Sequence, residues 1–278
     1  MTDFSLAPGL YVAATPIGNL GDVTKRLADT LAAADEVLCE DTRISGRLMQ
    51  ALGITAKLRP YHDHNGPQVR PGILAALKDG ARIALISDAG TPLISDPGYK
   101  LVAEARAQGI QVYTVPGPCA AIAALSIAGV PTDRFSFLGF APAKQGARQS
   151  LLREVMMREE TLVFYETGPR LSKMLRDVTE VMGDRPVLIA RELTKLHEEV
   201  VPGTATSLAD IYESQPPKGE IVVVLPPAAA PQPTEEDIDR LMEEALKTLS
   251  LKDASEEVAK KTGRSKRDLY QAWLGRTR

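Results

Sequence analysis

Residues 81–102 read "ARIALISDAGTPLISDPGYKLV". The first seven, "ARIALIS", form a continuous apolar run of the kind found in strands buried on both faces. The next eleven hold two aspartates, two prolines and two glycines before the pattern turns helical. A strand, a stiff acidic loop and a helix in succession predict one unit of a parallel α/β sheet. In such sheets ligands bind beyond the carboxyl ends of the strands, so the loop itself becomes a candidate site.

The same alternation extends in both directions. Residues 10–14, 36–40 and 111–115 read as further strands, with helical patterns near 24–34, 43–52, 67–79 and 97–108. After a turn and a small-residue helix in "VPGPCAAIAALSIAGVP", a second series of strands follows at 134–140, 160–166, 186–193 and 219–225. Helical patterns lie between them at 146–158, 169–182 and 206–214. The expected class is α/β, with helices covering a mainly parallel sheet. The expected domains are 1–117 and 118–226, then a Pro/Ala linker at 227–233, "PAAAPQP". Residues 234–278 form a helical, helix-turn-helix-like extension. Its expected core is Ile238, Leu241, Met242, Ala245, Leu249, Ala254, Val258, Leu269, Tyr270, Trp273 and Leu274.

Composition narrows the function classes. The 278 residues are 44% apolar and 25% charged, with a formal charge of −3, as expected of a globular protein without a basic coat. No apolar run approaches the roughly 20 residues that cross a bilayer. "MTDFSLAPGL" lacks the basic and apolar regions of a signal peptide, so a cytoplasmic location is expected. Cys39 and Cys119 stand alone without a CxxC, which predicts neither a disulfide framework nor a zinc site.

Three loops follow the strands of the first half: "ATPIGNLGDVT", "EDTRISG" and "SDAGTPLISDPG". They contain neither GxGxxG nor GxxxxGK[ST], the glycine patterns that cradle nucleotide phosphates. Asp22, Asp41, Asp88 and Asp96 would repel a polyphosphate, whereas an acidic rim suits a cation or a sugar diol. S-adenosylmethionine has both features.

"TPIGNLGD", "CEDTR", "SDAGTPLISDPG", "VPGP", "ARELTKLHEE" and "KGEIVVVL" occur here in the order that characterises one family. The chain resembles the bacterial small-subunit ribosomal RNA methyltransferase I family of the tetrapyrrole-methylase superfamily, from about residue 8 to 226 and also in the helical tail. The resemblance implies a two-domain fold with a mainly parallel N-terminal sheet, a mixed C-terminal sheet and a helical extension. It implies 2′-O-methylation of a cytidine in 16S ribosomal RNA of the small subunit, by a metal-free homodimer using S-adenosylmethionine. The cofactor is expected in the cleft between the domains, against Asp88, Ala89, Gly90 and Thr91, with Pro16 beneath it and Cys119 and Ala120 alongside. Two departures stand out. Residues 165–170, "YETGPR", lack the family's histidine, and Cys119 replaces its usual serine.

A ribose hydroxyl is a poor nucleophile while it keeps its proton, so a base is expected near it. The candidates are Glu40, Asp41, Glu198 and Glu199, with Asp41, Arg43 and Lys195 the favoured catalytic set. Histidine is a further candidate by residue type, at His62, His64 and His197. Arg43, Arg47, Lys144, Arg148, Arg170, Arg191 and Lys195 form an expected RNA-gripping band, and Arg264, Lys266, Arg267, Arg276 and Arg278 a basic tip. Two alternatives remain: methylation of a tetrapyrrole carbon, and a cofactor-responsive DNA-binding regulator.

Overall fold

The structure is a computed structural model that describes residues 5–228 and 234–274. Most of the expected linker and the arginines at 276 and 278 lie outside the described residues. The chain divides into two compact units, Met1–Ala228 and Ala229–Arg278.

The first sheet contains β1 (Gly9–Ala13), β2 (Glu36–Cys39), β3 (Leu58–Pro60), β4 (Arg82–Leu85) and β5 (Val112–Val115). Their order is β3-β2-β4-β1-β5 and every pairing is parallel. Strand period two sends alternate side chains to opposite faces. Val37, Cys39 and Ala84 pack with Leu27, Leu31 and Met49 of α1 (Lys25–Ala33) and α2 (Thr42–Leu52). Leu38, Ile83 and Leu85 pack instead with Ile73, Leu77 and Leu101 of α3 (Gly66–Lys78) and α4 (Tyr99–Ala107).

The second sheet is mixed. It contains β6 (Phe135–Phe140), β7 (Thr161–Thr167), β8 (Pro186–Arg191), β9 (Glu199–Thr204) and β10 (Glu220–Leu225), ordered β6-β7-β10-β8-β9. Only β6 and β7 run parallel; the other three pairings are antiparallel. One face carries α6 (Gln145–Val155), α7 (Gly168–Met182) and α8 (Ala205–Ser214) over Leu162, Phe164, Ile189 and Val223. The other carries α5 (Ala120–Ala128), whose Ala121, Ala124 and Leu125 pack on Val163, Ala190 and Val222. Strands β3 and β9 have no counterpart in the sequence reading. Both are edge strands containing proline (Pro60 and Pro202), and β3 is only three residues long.

The second unit contains α9 (Glu235–Leu246), α10 (Leu251–Thr262) and α11 (Lys266–Leu274). Thr234 and Asp237 cap α9 reciprocally. Ile238, Met242, Ala254, Val258, Leu269 and Trp273 form the buried core, with Leu241, Ala245 and Leu249 partly buried around it. Tyr270 is half-buried outside that cluster and Leu274 is 48% exposed, which corrects the expectation for both. Leu274 is the last residue of α11, with no further described turn to cover it.

Candidate functional site

Backbone and side-chain bonds tie the three loops of the first sheet together. Thr15, just past β1, exchanges two hydrogen bonds with Gly90: its N–H donates to the Gly90 carbonyl at 2.9 Å and its carbonyl accepts from the Gly90 N–H at 3.1 Å. Gly90 has φ +81°, a conformation that side chains disfavour, and a Cβ there would stand 3.2 Å from Ile17 Cγ2. The Thr91 hydroxyl donates to the Pro118 carbonyl at 2.9 Å, joining the loop to the turn before α5. The Asp41 N–H donates to Asp88 Oδ1 at 3.1 Å, which fixes the loop after β2 to the loop after β4.

Beside these loops lies a cavity of about 250 Å³, near the lower end of ligand pockets at roughly 300 Å³. The first half contributes Ile17, Glu40, Asp88, Ala89, Gly90, Thr91, Ile94, Ser95 and Asp96. Cys119 and Ala120 enter from the start of α5. The second half supplies Phe140, Tyr165, Ala190, Glu192, Leu193, Lys195, Glu220, Ile221 and Val222. The Tyr165 hydroxyl accepts from the Ala121 N–H at 3.1 Å, and its ring meets Phe137 and Phe140 edge-on.

The cavity is acidic. Glu40, Asp88, Asp96, Glu192 and Glu220 line it against the single cation Lys195, whose Nζ lies 3.0 Å from Glu192 Oε1. Burial, then the neighbouring charges of Glu40, Glu220 and Asp88, push Asp96 up to about 6 despite a hydrogen bond from Ser87. Partial desolvation of its otherwise exposed side chain and the charge of Asp88 also raise Glu40, and burial raises Tyr165. Among the described residues, no cluster of three or more His, Cys, Asp or Glu side chains could hold a metal ion. Nor is any described helix long and apolar enough to cross a membrane.

Of the residues expected around the cofactor, Asp88, Ala89, Gly90, Thr91, Cys119 and Ala120 all line the cavity, whereas Pro16 does not and Ile17 does. Lys195 lines it too. Asp41 and Arg43 are absent from the lining. They pair with each other at 2.5 Å, and Asp41 caps α2 by accepting from the Arg43 N–H at 2.8 Å. The Arg43 guanidinium and backbone hold the Asp41 carboxyl far below the usual carboxylate range.

The expected RNA-gripping band loses members as well. Arg148 is 5% exposed and bound to Asp177, so it is a core residue. Arg170 bonds the Ala141 carbonyl and lies 3.1 Å from Glu166, while Arg191 is paired with Glu199. The residues that sequence reasoning missed are Glu192, Glu220, Phe140 and the β8 and β10 backbone around Ala190 and Ile221. Antiparallel register sets Ile221 opposite both Glu166 and Arg191, and no local motif announces that pairing.

Comparison with known proteins follows the same lines. The family described as Tetrapyrrole (Corrin/Porphyrin) Methylases matches residues 9–209, and the RsmI C-terminal HTH domain matches residues 232–277. A protein of Erythrobacter litoralis called Ribosomal RNA small subunit methyltransferase I is 49% identical, covering 97% of this chain and 95% of that one. A protein of the same name from Mesorhizobium japonicum is 48% identical, covering 97% and 92%. The fold is also that of diphthine synthase, with a TM-score of 0.62 at 14% identity over 78% of this chain and 89% of that one. The methyltransferase CobJ gives a TM-score of 0.60 at 19% identity, over 80% and 95%. The chain belongs to the tetrapyrrole methylase family and, within it, to the ribosomal RNA small subunit methyltransferase I family.

Proposed function

We propose that this chain is an S-adenosylmethionine-dependent ribosomal RNA methyltransferase acting on the 2′-hydroxyl of a cytidine in 16S RNA of the small subunit. The observation that carries the reading is the acidic cavity closed by the 88–91 loop and Cys119–Ala120, in a chain that matches like-named relatives over 97% of its length. The donor set fits the cofactor. Five carboxylates against one lysine favour a cation, and the apolar wall of Ile17, Leu193 and Val222 suits a nucleoside. When bound, S-adenosylmethionine supplies a methyl group on a sulfonium whose thioether is already a good leaving group. The backbone of Asp88–Thr91 and of Cys119–Ala120 holds it, with Gly90 allowing close approach.

Lys195 stabilises charge developing on the ribose oxygen, and Glu192 orients its ammonium group from 3.0 Å. Asp41 and Arg43 contribute from outside the lining: the Asp41 N–H secures Asp88, and the Arg43 guanidinium is exposed for phosphate contact. The two α/β domains meet at residue 117, the enzyme works in the cytoplasm where its RNA is, and a homodimer covers the half-exposed Ile122 and Ile127 of α5.

The test uses labelled cofactor with small ribosomal subunits, naked 16S RNA and a uroporphyrinogen-type ring, followed by mapping of the label. Label on a cytidine ribose is expected. Label on the ring alone, or on a base, overturns the reading, and duplex-DNA binding without methyl release would point to a regulator.

A further inference from the structure

We propose that the carboxylate of Asp96 takes up the proton of the acceptor hydroxyl. The inference rests on the function proposed above and adds the residue that carries the proton. Contacts with the 88–91 segment leave the rest of the loop unexplained. Between Pro92 and Pro97, Leu93 and Ser95 are held at φ +73° and +62°, a region that L side chains rarely occupy. Such backbone strain clusters at functional sites. The segment lines the cavity with Ile94, Ser95 and Asp96, and Asp96 is its one ionisable side chain there.

The other carboxylates of the cavity are engaged or lie at its rim. Asp88 accepts the Asp41 N–H, Glu192 holds Lys195, and Glu40 and Glu220 are exposed. Asp96 is half-buried and, among the described residues, has no cation within ion-pair distance. The groups facing it are Glu40 at the end of β2, Ser87 and Asp88 beyond β4, Glu220 at the start of β10, and Tyr165 on β7. Burial and these like charges favour the protonated form, up to about 6, so the ionised carboxylate near neutral pH is a willing proton acceptor. In the step, the ribose oxygen bonds the methyl carbon, the S–C electron pair stays on the departing thioether, and the O–H proton passes to Asp96.

Full-length Asp96→Asn and Asp96→Glu are compared with wild type in single-turnover transfer to small subunits at saturating labelled cofactor, across about pH 5 to 8. Calorimetry measures cofactor binding in parallel. The Asn variant is expected to bind the cofactor as wild type does but to transfer about 10²–10⁴-fold more slowly. Wild type should show a rate limb rising with pH up to about 6, which Asn abolishes and Glu partly restores. A full rate for Asn overturns the proposal. So does a loss that appears only in cofactor affinity, which would make Asp96 a counter-charge. Should Asn fail to fold by near-UV circular dichroism, a wild-type rate with no acidic limb overturns it equally. Wild type that binds the cofactor yet methylates no RNA refutes the function proposal first, and this one with it.

Discussion

Replacing Gly90 by alanine tests whether the loop after β4 is conformationally locked. Gly90 sits at φ +81°, and placing an L side chain in the left-handed region costs about 1–2 kcal/mol. The new Cβ would also press on Ile17 Cγ2 at 3.2 Å, and Ile17 lines the cavity. Two responses are open to the protein. If the Thr15–Gly90 bridge holds, with its bonds of 2.9 and 3.1 Å, the loop keeps its shape and the penalty falls on folding. For a unit of this size about 1–2 kcal/mol then lowers Tm by roughly 2–8 °C. If the bridge opens, stability is spared, but Asp88, Ala89 and Thr91 leave their places and the penalty falls on cofactor binding. A change of about 1–2 kcal/mol corresponds to roughly 5–30-fold in Kd. Thermal unfolding without cofactor and calorimetry with it measure the two parts, and together they should account for at least the conformational cost. An alanine variant with wild-type Tm and wild-type Kd would refute the lock.

Asp177→Ala strands the buried Arg148 guanidinium, now 2.5 Å from that carboxylate, and should cost about 3–5 kcal/mol in urea titration. Asp96 gives a pH signature in stability. Its folded-state value is raised from 3.8 to about 6, so the stabilisation it provides is complete below pH 3.8 and lost as pH rises through about 6. Asp96→Asn should therefore match wild type in acid and exceed it above neutrality, as read from denaturant midpoints. Asp41→Asn should retain most single-turnover activity and the α2 cap, because asparagine caps as well as aspartate; a large rate loss would return Asp41 to the chemistry. In the tail, Arg264 and Lys266 are paired with Glu235 and Glu256, whereas Arg267 has no ion pair among the described residues. Arg267→Gln should lower the salt slope of RNA binding by about 0.7–0.9 if it meets a phosphate, and Arg264→Gln by less.

Most of the parallel half was legible because β1, β2 and β4 are largely buried and read as apolar runs, each followed by its own loop, whereas the three-residue, partly exposed β3 carries no such run. Residues 86–98 carry strand end, turn chemistry and ligand loop in one stretch, so the lining from Asp88 to Thr91 could be read from it. The mixed sheet was harder. Strand β9 contains Pro202 and Gly203, which break the strand pattern, so its antiparallel pairing with the preceding β8 is not expressed in composition. Charge partners were least legible. Arg148 and Arg43 are both arginines in helical sequence, yet one is sealed on Asp177 and the other lies open beside Asp41. Only tertiary packing separates those cases.

The glycine of "TPIGN" shows how a motif read for a ligand can be there for a side chain. A Cβ on Gly18 would stand 2.6 Å from Lys195 Cε and 2.8 Å from its Cγ, so the stem of Lys195 lies directly over that backbone. Lys195 comes from the second half of the unit, on a segment whose Glu192 and Thr194 have φ of +50° and +66°. The segment therefore crosses from the mixed sheet onto the β1 loop and rests there on a residue with no side chain. Its charged end stays at Glu192, facing the cavity, while the stem bridges the two sheets. An ammonium group placed this way gains its position from both halves at once. Enlarging Gly18 should displace Lys195 without touching the 88–91 loop, so Gly18→Ala separates the two walls of the site: cofactor affinity should hold while methyl transfer slows. Equal loss of both would mean that Gly18 faces the cofactor after all.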